Sequence, residues 1–204
     1  MNFKLYLIGD RKLFPNEDAY LDAVEKALRC GVKAFQLREK DMSDRELFYL
    51  AEKFRDLTEK YRALLFINDR IDIALAVSAN GVHLPQNGFP ADVVRKVWKS
   101  QFFIGVSTHS IEEATEACRW ADFITFSPIY PTASKPGQAP QGLEKLKEIK
   151  GLVKCKVFAL GGINKDNIAE VFPYCDGVAM IRGVLGGNIE KNVEKLKKFL
   201  GDLL

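Results

Sequence analysis

Cysteine is scarce and scattered: Cys30, Cys118, Cys155 and Cys175 are the only four in 204 residues, and no two form a C-x-x-C pair. That spacing excludes a zinc ribbon and a dithiol redox motif, and the four are expected to be free, partly buried thiols in a reducing cytoplasm. Histidine is scarcer still. His83 and His109 are the only two, and neither stands in a zinc-ligand spacing or a Ser-His-Asp arrangement. No Walker loop is present, and the first apolar run lacks the glycine fingerprint of a dinucleotide-binding turn. Long apolar runs are missing as well: the one after Lys4 covers about five residues, too short for a signal peptide or a membrane span. A cytosolic protein with no membrane partner is expected. No block of Lys or Arg occurs and the net charge is only +3, which argues against a nucleic-acid partner. The basic run Lys191, Lys195, Lys197 and Lys198 shares its helix with Glu190, Glu194 and Asp202, and reads as a solvated face. Linkers and low-complexity tracts are lacking too, so the 204 residues fit one domain, 1–204, with a full core.

What the sequence does have is repetition of a short apolar run followed by a helical pattern. The runs are Leu5 to Ile8, Ala34 to Leu37, Leu64 to Ile67, Gly81 to Leu84, Phe102 to Val106, Phe123 to Phe126, Val157 to Leu160 and Asp176 to Ile181. Helical spacing follows from about Asn16, with Tyr20, Leu21, Val24, Ala27 and Leu28 on one side. It recurs behind Ser43 with Leu47, Leu50, Ala51, Phe54 and Leu57, over Ile73 to Val77, and from about Asn188. Ser43 to Glu46 and Ser110 to Glu113 read as capping boxes, and Asn164 stands where an N-cap would. Short strands of mostly apolar residues, each followed by a helix, require a parallel sheet covered on both faces. Eight such units, at roughly 25 residues each, point to a closed (β/α)8 TIM barrel, an α/β fold.

Barrels of this kind carry their chemistry at the C-terminal ends of the strands. Those ends hold Gln36, Arg38 and Lys40; Asn68 and Asp69; Gln86 and Asn87; Ser107 and His109; Thr132, Ser134 and Lys135; and Gly161 and Gly162. Alternation along an extended strand puts Gln36, Arg38 and Lys40 on one face. With Lys135 opposite, they read as an anion clamp for phosphate or diphosphate. Asp69 reads equally as a divalent-metal ligand or as a helix cap. The last two strands both run into glycine, at Gly161-Gly162 and, past Ile181 and Arg182, at Gly183, with Gly186-Gly187 beyond. Such tandem loops aim bare backbone N–H groups at one place, the usual phosphate cradle of the fold. His83, in mid-strand, reads as a barrel-layer histidine. His109, just past a strand end, is placed for a titrating role.

The residues collected so far resemble a known family. Gln36-Leu37-Arg38-Glu39-Lys40, Ile67-Asn68-Asp69-Arg70, Gly81-Val82-His83-Leu84, Gly105 to Ser110, Pro131 to Pro136 and Gly161-Gly162-Ile163-Asn164 are similar, in order and spacing, to the motif series of thiamine phosphate synthases. The resemblance implies a (β/α)8 barrel that joins a hydroxymethylpyrimidine diphosphate to a thiazole phosphate, releasing pyrophosphate with the help of Mg²⁺. It implies that Gln36, Arg38, Lys40, Asn68, Ser107 and Lys135 bind the pyrimidine diphosphate, and that Asp69 ligates the metal. It further implies that Thr132, Ser134, Gly162, Ile181 and Arg182 bind the thiazole phosphate. Arg38, Ser107, His109 and Lys135 are then the candidate catalytic residues. The expected partners are small phosphorylated substrates, and a homodimer is one open assembly.

Two positions depart from the family pattern. Gly88 stands where a second metal carboxylate belongs, and Arg182 replaces a serine of the last phosphate loop. Pro85 brings the fourth strand end closer to the sister group, the thiazole tautomerases, whose histidine matches His109. A tautomerase acting on carboxythiazole phosphate, and a non-catalytic paralogue that only binds precursors, therefore stand as alternatives to the synthase.

Overall fold

The computed structural model describes residues 1–99, 102–132 and 137–201. Eight strands close into a parallel barrel in sequence order: β1 (Leu5–Ile8), β2 (Ala34–Leu37), β3 (Leu64–Asn68), β4 (Gly81–Leu84), β5 (Phe103–Thr108), β6 (Phe123–Phe126), β7 (Lys156–Leu160) and β8 (Gly177–Met180). Around it lie α1 (Glu17–Arg29), α2 (Asp44–Lys60), α3 (Ile71–Ala76), α4 (Ala91–Trp98), α5 (Ile111–Ala117), α6 (Gly142–Leu152), α7 (Ile168–Val171), α8 (Arg182–Leu185) and α9 (Ile189–Leu200). Closure is made by β1 pairing with β8, Leu5 beside Val178 and Leu7 beside Met180.

Period-two alternation divides the strand residues between two cores. Leu5, Leu7, Phe35, Leu37, Val82 and Ile124 face outward and pack against the helices, with Tyr20, Val24, Phe54, Leu146 and Leu196 in the same cluster. Tyr6, Phe66, Phe123 and Phe158 face inward and, with Phe3 beneath them, form an aromatic plug. Phe3 sits 5.1 to 6.1 Å from the rings of Tyr6, Phe66, Phe123 and Phe158, in tilted and edge contacts. The space for these rings comes from glycine on neighbouring strands. A Cβ at Gly81 would lie 2.7 Å from the Phe66 ring, one at Gly105 2.4 Å from Phe123, and one at Gly177 2.5 Å from Phe158. The lower half of the barrel is thus a packed core, and any ligand space lies above it.

Several local expectations are revised. β5 runs on to Thr108 because Ser107 and Thr108 continue to pair with Thr125 and Phe126. β8 is shorter than its apolar run, because Asp176 turns its carboxylate to Lys150 Nζ and the Val157 N–H. The Ser43 capping box is complete. At Ser110 it is half made: the hydroxyl accepts from the Glu113 N–H, while the Glu113 carboxylate reaches past Ser110 to the His109 N–H at 2.7 Å. Asn164 does not cap α7; its Oδ1 accepts from the Asp166 N–H in a local turn, and its own N–H donates to Asn167 Oδ1. The four cysteines are not all free. Cys118, which ends α5, and Cys155, just before β7, form a disulfide with Cα atoms 5.3 Å apart, leaving Cys30 and Cys175 as thiols. Thirty-seven residues separate the pair in sequence, and the parallel barrel brings them together at the edge where neighbouring units meet. No helix among the described residues is long and apolar enough to cross a membrane.

Candidate active site

A cavity of about 670 Å³ opens at the C-terminal ends of the strands. It takes in most of the expected residues: Gln36, Arg38, Lys40, Asn68, Ser107, His109, Thr132, Gly162, Ile181 and Arg182 all line it. Gln36, Arg38 and Lys40 do share one face, although β2 ends at Leu37 and only Gln36 lies in regular strand. Ser134 and Lys135 lie outside the described residues. Asp69 is the one described candidate that does not line the cavity.

The charge in the cavity is one-sided. Arg38, Lys40 and Arg182 line it, and no carboxylate does so among the described residues. The neighbouring acids, Glu39 and Asp41, do not line it and are paired elsewhere. Glu39, buried, accepts from the Arg11 N–H at 3.0 Å and faces Arg11 Nε at 3.5 Å, and Asp41 pairs with Arg11 and Lys12. The turn Arg11–Leu13 after β1 therefore takes up the negative charge of the segment that carries the clamp. Burial pushes the Glu39 carboxyl up, opposed by the Arg11 hydrogen bond.

Below the cations lies a buried polar layer. Gln36 Nε2 donates to the Tyr6 hydroxyl at 3.0 Å, that hydroxyl lies 3.4 Å from His83 Nδ1, and His83 Nε2 lies 3.0 Å from Ser107 Oγ. Burial, with the Arg38 cation second, pushes the His83 imidazole down to about 3. It is a neutral barrel-layer histidine that also forms part of the cavity floor. Tyr6 was not legible as a site residue in an apolar run, although alternation places it on the same inward face as Ile8. His109 Nδ1 donates to the Ser127 carbonyl at 2.8 Å, which fixes its ring at the rim. Ser127 and Pro128, joined by a cis peptide, also line the cavity; they follow the end of β6, where no strand period marks which face a residue takes.

On the far wall the loops after β6 and β7 are laced together. Ile129 N–H donates to the Leu160 carbonyl at 2.9 Å and Tyr130 N–H to the Gly161 carbonyl at 3.1 Å. Gly161 and Gly162 have φ of +100° and +66°. A Cβ at Gly161 would lie 2.7 Å from Pro128 Cα, and one at Gly162 2.8 Å from the Pro131 carbonyl oxygen. Both the dihedral and the close approach require glycine here.

A metal would find one carboxylate. Asp69 adopts φ +65°, tied by its N–H to the His83 carbonyl at 2.9 Å, and a Cβ at Gly88 would lie 3.1 Å from its Oδ1. No group of three His, Cys, Asp or Glu among the described residues forms a metal cage. Mg²⁺ is commonly held by one or two carboxylates together with substrate phosphates, so this donor set fits a magnesium–diphosphate complex and not a preformed ion site.

Comparison with known proteins places the whole barrel in one family. The family described as thiamine monophosphate synthase matches residues 5–184. The chain belongs to that family. A thiamine-phosphate synthase of Clostridium acetobutylicum is 43% identical over 187 residues, covering 91% of this chain and 88% of the relative. One from Caldanaerobacter subterraneus is 40% identical over 199 residues, covering 96% and 92%. Among solved structures, a thiamine phosphate pyrophosphorylase from Pyrococcus furiosus is 39% identical with a TM-score of 0.87, covering 99% of this chain and 97% of that one. The thiamine monophosphate synthase match begins at Leu5, where β1 begins, and takes in every strand of the barrel.

Proposed function

We propose that the chain is a thiamine phosphate synthase, coupling hydroxymethylpyrimidine diphosphate to thiazole phosphate with release of pyrophosphate. The observation that carries this reading is the cavity wall with three cations and no carboxylate among the described residues, matched to a substrate whose leaving group is an anion. In the reaction the bond from the pyrimidine methylene to the diphosphate oxygen breaks, and the electron pair leaves with pyrophosphate. The thiazole nitrogen lone pair then forms the new C–N bond. No protein nucleophile and no proton abstraction from carbon are needed, so the residues act by position and charge.

Arg38 and Lys40 face the departing diphosphate from the β2 end, and Lys135 is assigned to the same anion. Gln36, Asn68 and Ser107 hold the pyrimidine half. Thr132, Ser134, the N–H groups around Gly162, and Ile181 with Arg182 hold the thiazole phosphate; Arg182 supplies charge where the family pattern has a hydroxyl. Mg²⁺, held by Asp69 and the diphosphate oxygens, would neutralise charge on the leaving group. His109, with Nδ1 committed to the Ser127 carbonyl, serves as a hydrogen-bonding wall. Action in the cytosol on small phosphorylated substrates belongs to the same reading.

Incubation of the purified protein with both substrates and Mg²⁺ is expected to yield thiamine phosphate and pyrophosphate in equal amounts. Arg38→Ala is expected to lower kcat by on the order of 10²–10³, the worth of one preorganised donor, with little change in Tm. A wild-type protein that isomerises carboxythiazole phosphate and makes no thiamine phosphate would reverse the assignment in favour of the tautomerase.

A further inference from the structure

The polar layer beneath the cavity has a direction. Gln36 spends one side-chain N–H on the Tyr6 oxygen, so the single Tyr6 proton must go elsewhere. His83 Nδ1, at 3.4 Å, is the acceptor placed for it. Burial raises the Tyr6 phenol well above its ordinary range, so that proton stays on oxygen. A neutral imidazole with Nδ1 accepting carries its own proton on Nε2. Two hydroxyl oxygens lie within reach of that N–H, Ser107 Oγ at 3.0 Å and Thr125 Oγ1 at 3.5 Å, and the nearer one takes it. With a lone pair so occupied, the Ser107 hydroxyl has its own hydrogen to give, and Ser107 lines the cavity. At the other end of the chain, the Gln36 carbonyl oxygen is not used by any hydrogen bond among the described residues, and Gln36 also lines the cavity.

We propose that His83, held as its Nε2–H tautomer, is a positioning residue that sets the hydrogen-bond polarity of the cavity floor. It turns the Ser107 hydroxyl into the cavity as a donor and, through Tyr6, leaves the Gln36 carbonyl there as an acceptor. The floor then reads a heteroaromatic edge that offers an acceptor nitrogen to Ser107 and an N–H to Gln36. This rests on the synthase reading for the identity of the ring, but not for the tautomer.

Two measurements test it. The first is a ¹⁵N spectrum of histidine-labelled wild-type protein, in which only two rings contribute. His83 is expected to show a protonated Nε2 and an unprotonated Nδ1. A protonated Nδ1 on His83 would overturn the proposal whether or not the protein makes thiamine phosphate. The second is a double-mutant cycle on thiamine phosphate formation. His83→Asn, which keeps an acceptor for Tyr6 and loses the group at Nε2, and Ser107→Ala are each expected to lower kcat/KM for the pyrimidine diphosphate by about ten- to a hundredfold. The pair together should cost no more than Ser107→Ala alone. His83→Gln, whose amide reaches the Nε2 position, should recover most of the loss, and KM for thiazole phosphate should stay unchanged. Additive losses in the cycle would mean that His83 acts as packing only, and would sink the relay even with the synthase activity intact. An inactive wild type would count against the function, and the spectrum alone would then decide the relay.

Discussion

Gly88 is where the family's metal chemistry and this chain's own packing meet. The position lies beside Asp69, since a Cβ there would sit 3.1 Å from Asp69 Oδ1, but it would also lie 2.7 and 2.9 Å from the Pro85 ring. A carboxylate restored at position 88 therefore comes with a steric cost, because the Pro85 ring must shift. The two effects separate if Gly88→Ala and Gly88→Asp are compared. Both are expected to lower Tm by a similar amount, and only Gly88→Asp should lower the Mg²⁺ concentration needed for half-maximal activity. If Gly88→Asp needs as much Mg²⁺ as Gly88→Ala, position 88 is not a ligand position and Asp69 acts with substrate oxygens alone.

At the scale of elements, the sequence was most readable where one physical rule operates alone. β1, β2, β4 and β6 match their runs residue for residue because strands covered on both faces stay mostly apolar, with Gln36, His83 and Thr125 as their buried polar members. The same alternation that defines a strand placed Gln36, Arg38 and Lys40 together, and they do line one cavity. What was illegible depends on contacts between units. Glu39 finds Arg11 across 28 residues, Cys118 finds Cys155 across 37, and Tyr6 joins Gln36 and His83 from a run that looks uniformly apolar. The Ser110 box failed for a local reason: Glu113 had a second N–H, that of His109, within reach. Ser134 and Lys135 fall outside the described residues, so their assignment to the site rests on motif alone.

The β6 and β7 loops offer a test at this scale. Their mutual hydrogen bonds depend on positive φ at Gly161 and Gly162 and on the absence of a side chain at either. Gly162→Ala must place a methyl 2.7 Å from Tyr130 Cβ and 2.8 Å from the Pro131 oxygen. Displacement of the sixth loop and left-handed strain together should cost about 1–3 kcal/mol of stability. If these N–H groups hold the thiazole phosphate, KM for that substrate should rise while KM for the pyrimidine diphosphate changes little. An equal rise in both would show a general collapse of the cavity, and no rise in either would remove the loop from phosphate binding.

For the molecule as a whole, the polar layer that serves the cavity also sets a limit on acid stability. His83 is fully buried inside the barrel, with desolvation and then Arg38 holding its pKa down to about 3, against about 6.5 in the unfolded chain. The folded state therefore binds fewer protons than the unfolded state over the interval between those values. The stabilisation is present above pH 6.5 and is lost as pH falls through that interval. At pH 4 the unfolded histidine is protonated and the folded one is not, which amounts to about 3 kcal/mol of destabilisation relative to pH 7. Carboxylates elsewhere add their own acid dependence, so the comparison must be made between wild type and a variant with a non-titrating side chain. His83→Gln is expected to be less stable than wild type at pH 7, because a shaped buried site has been altered. Its denaturant-unfolding free energy should fall less steeply between pH 6.5 and 4, by about that same 3 kcal/mol, so that the two proteins converge in acid. Parallel curves over this range would mean that His83 is as easily protonated in the barrel as in water, and that the cavity floor is wet.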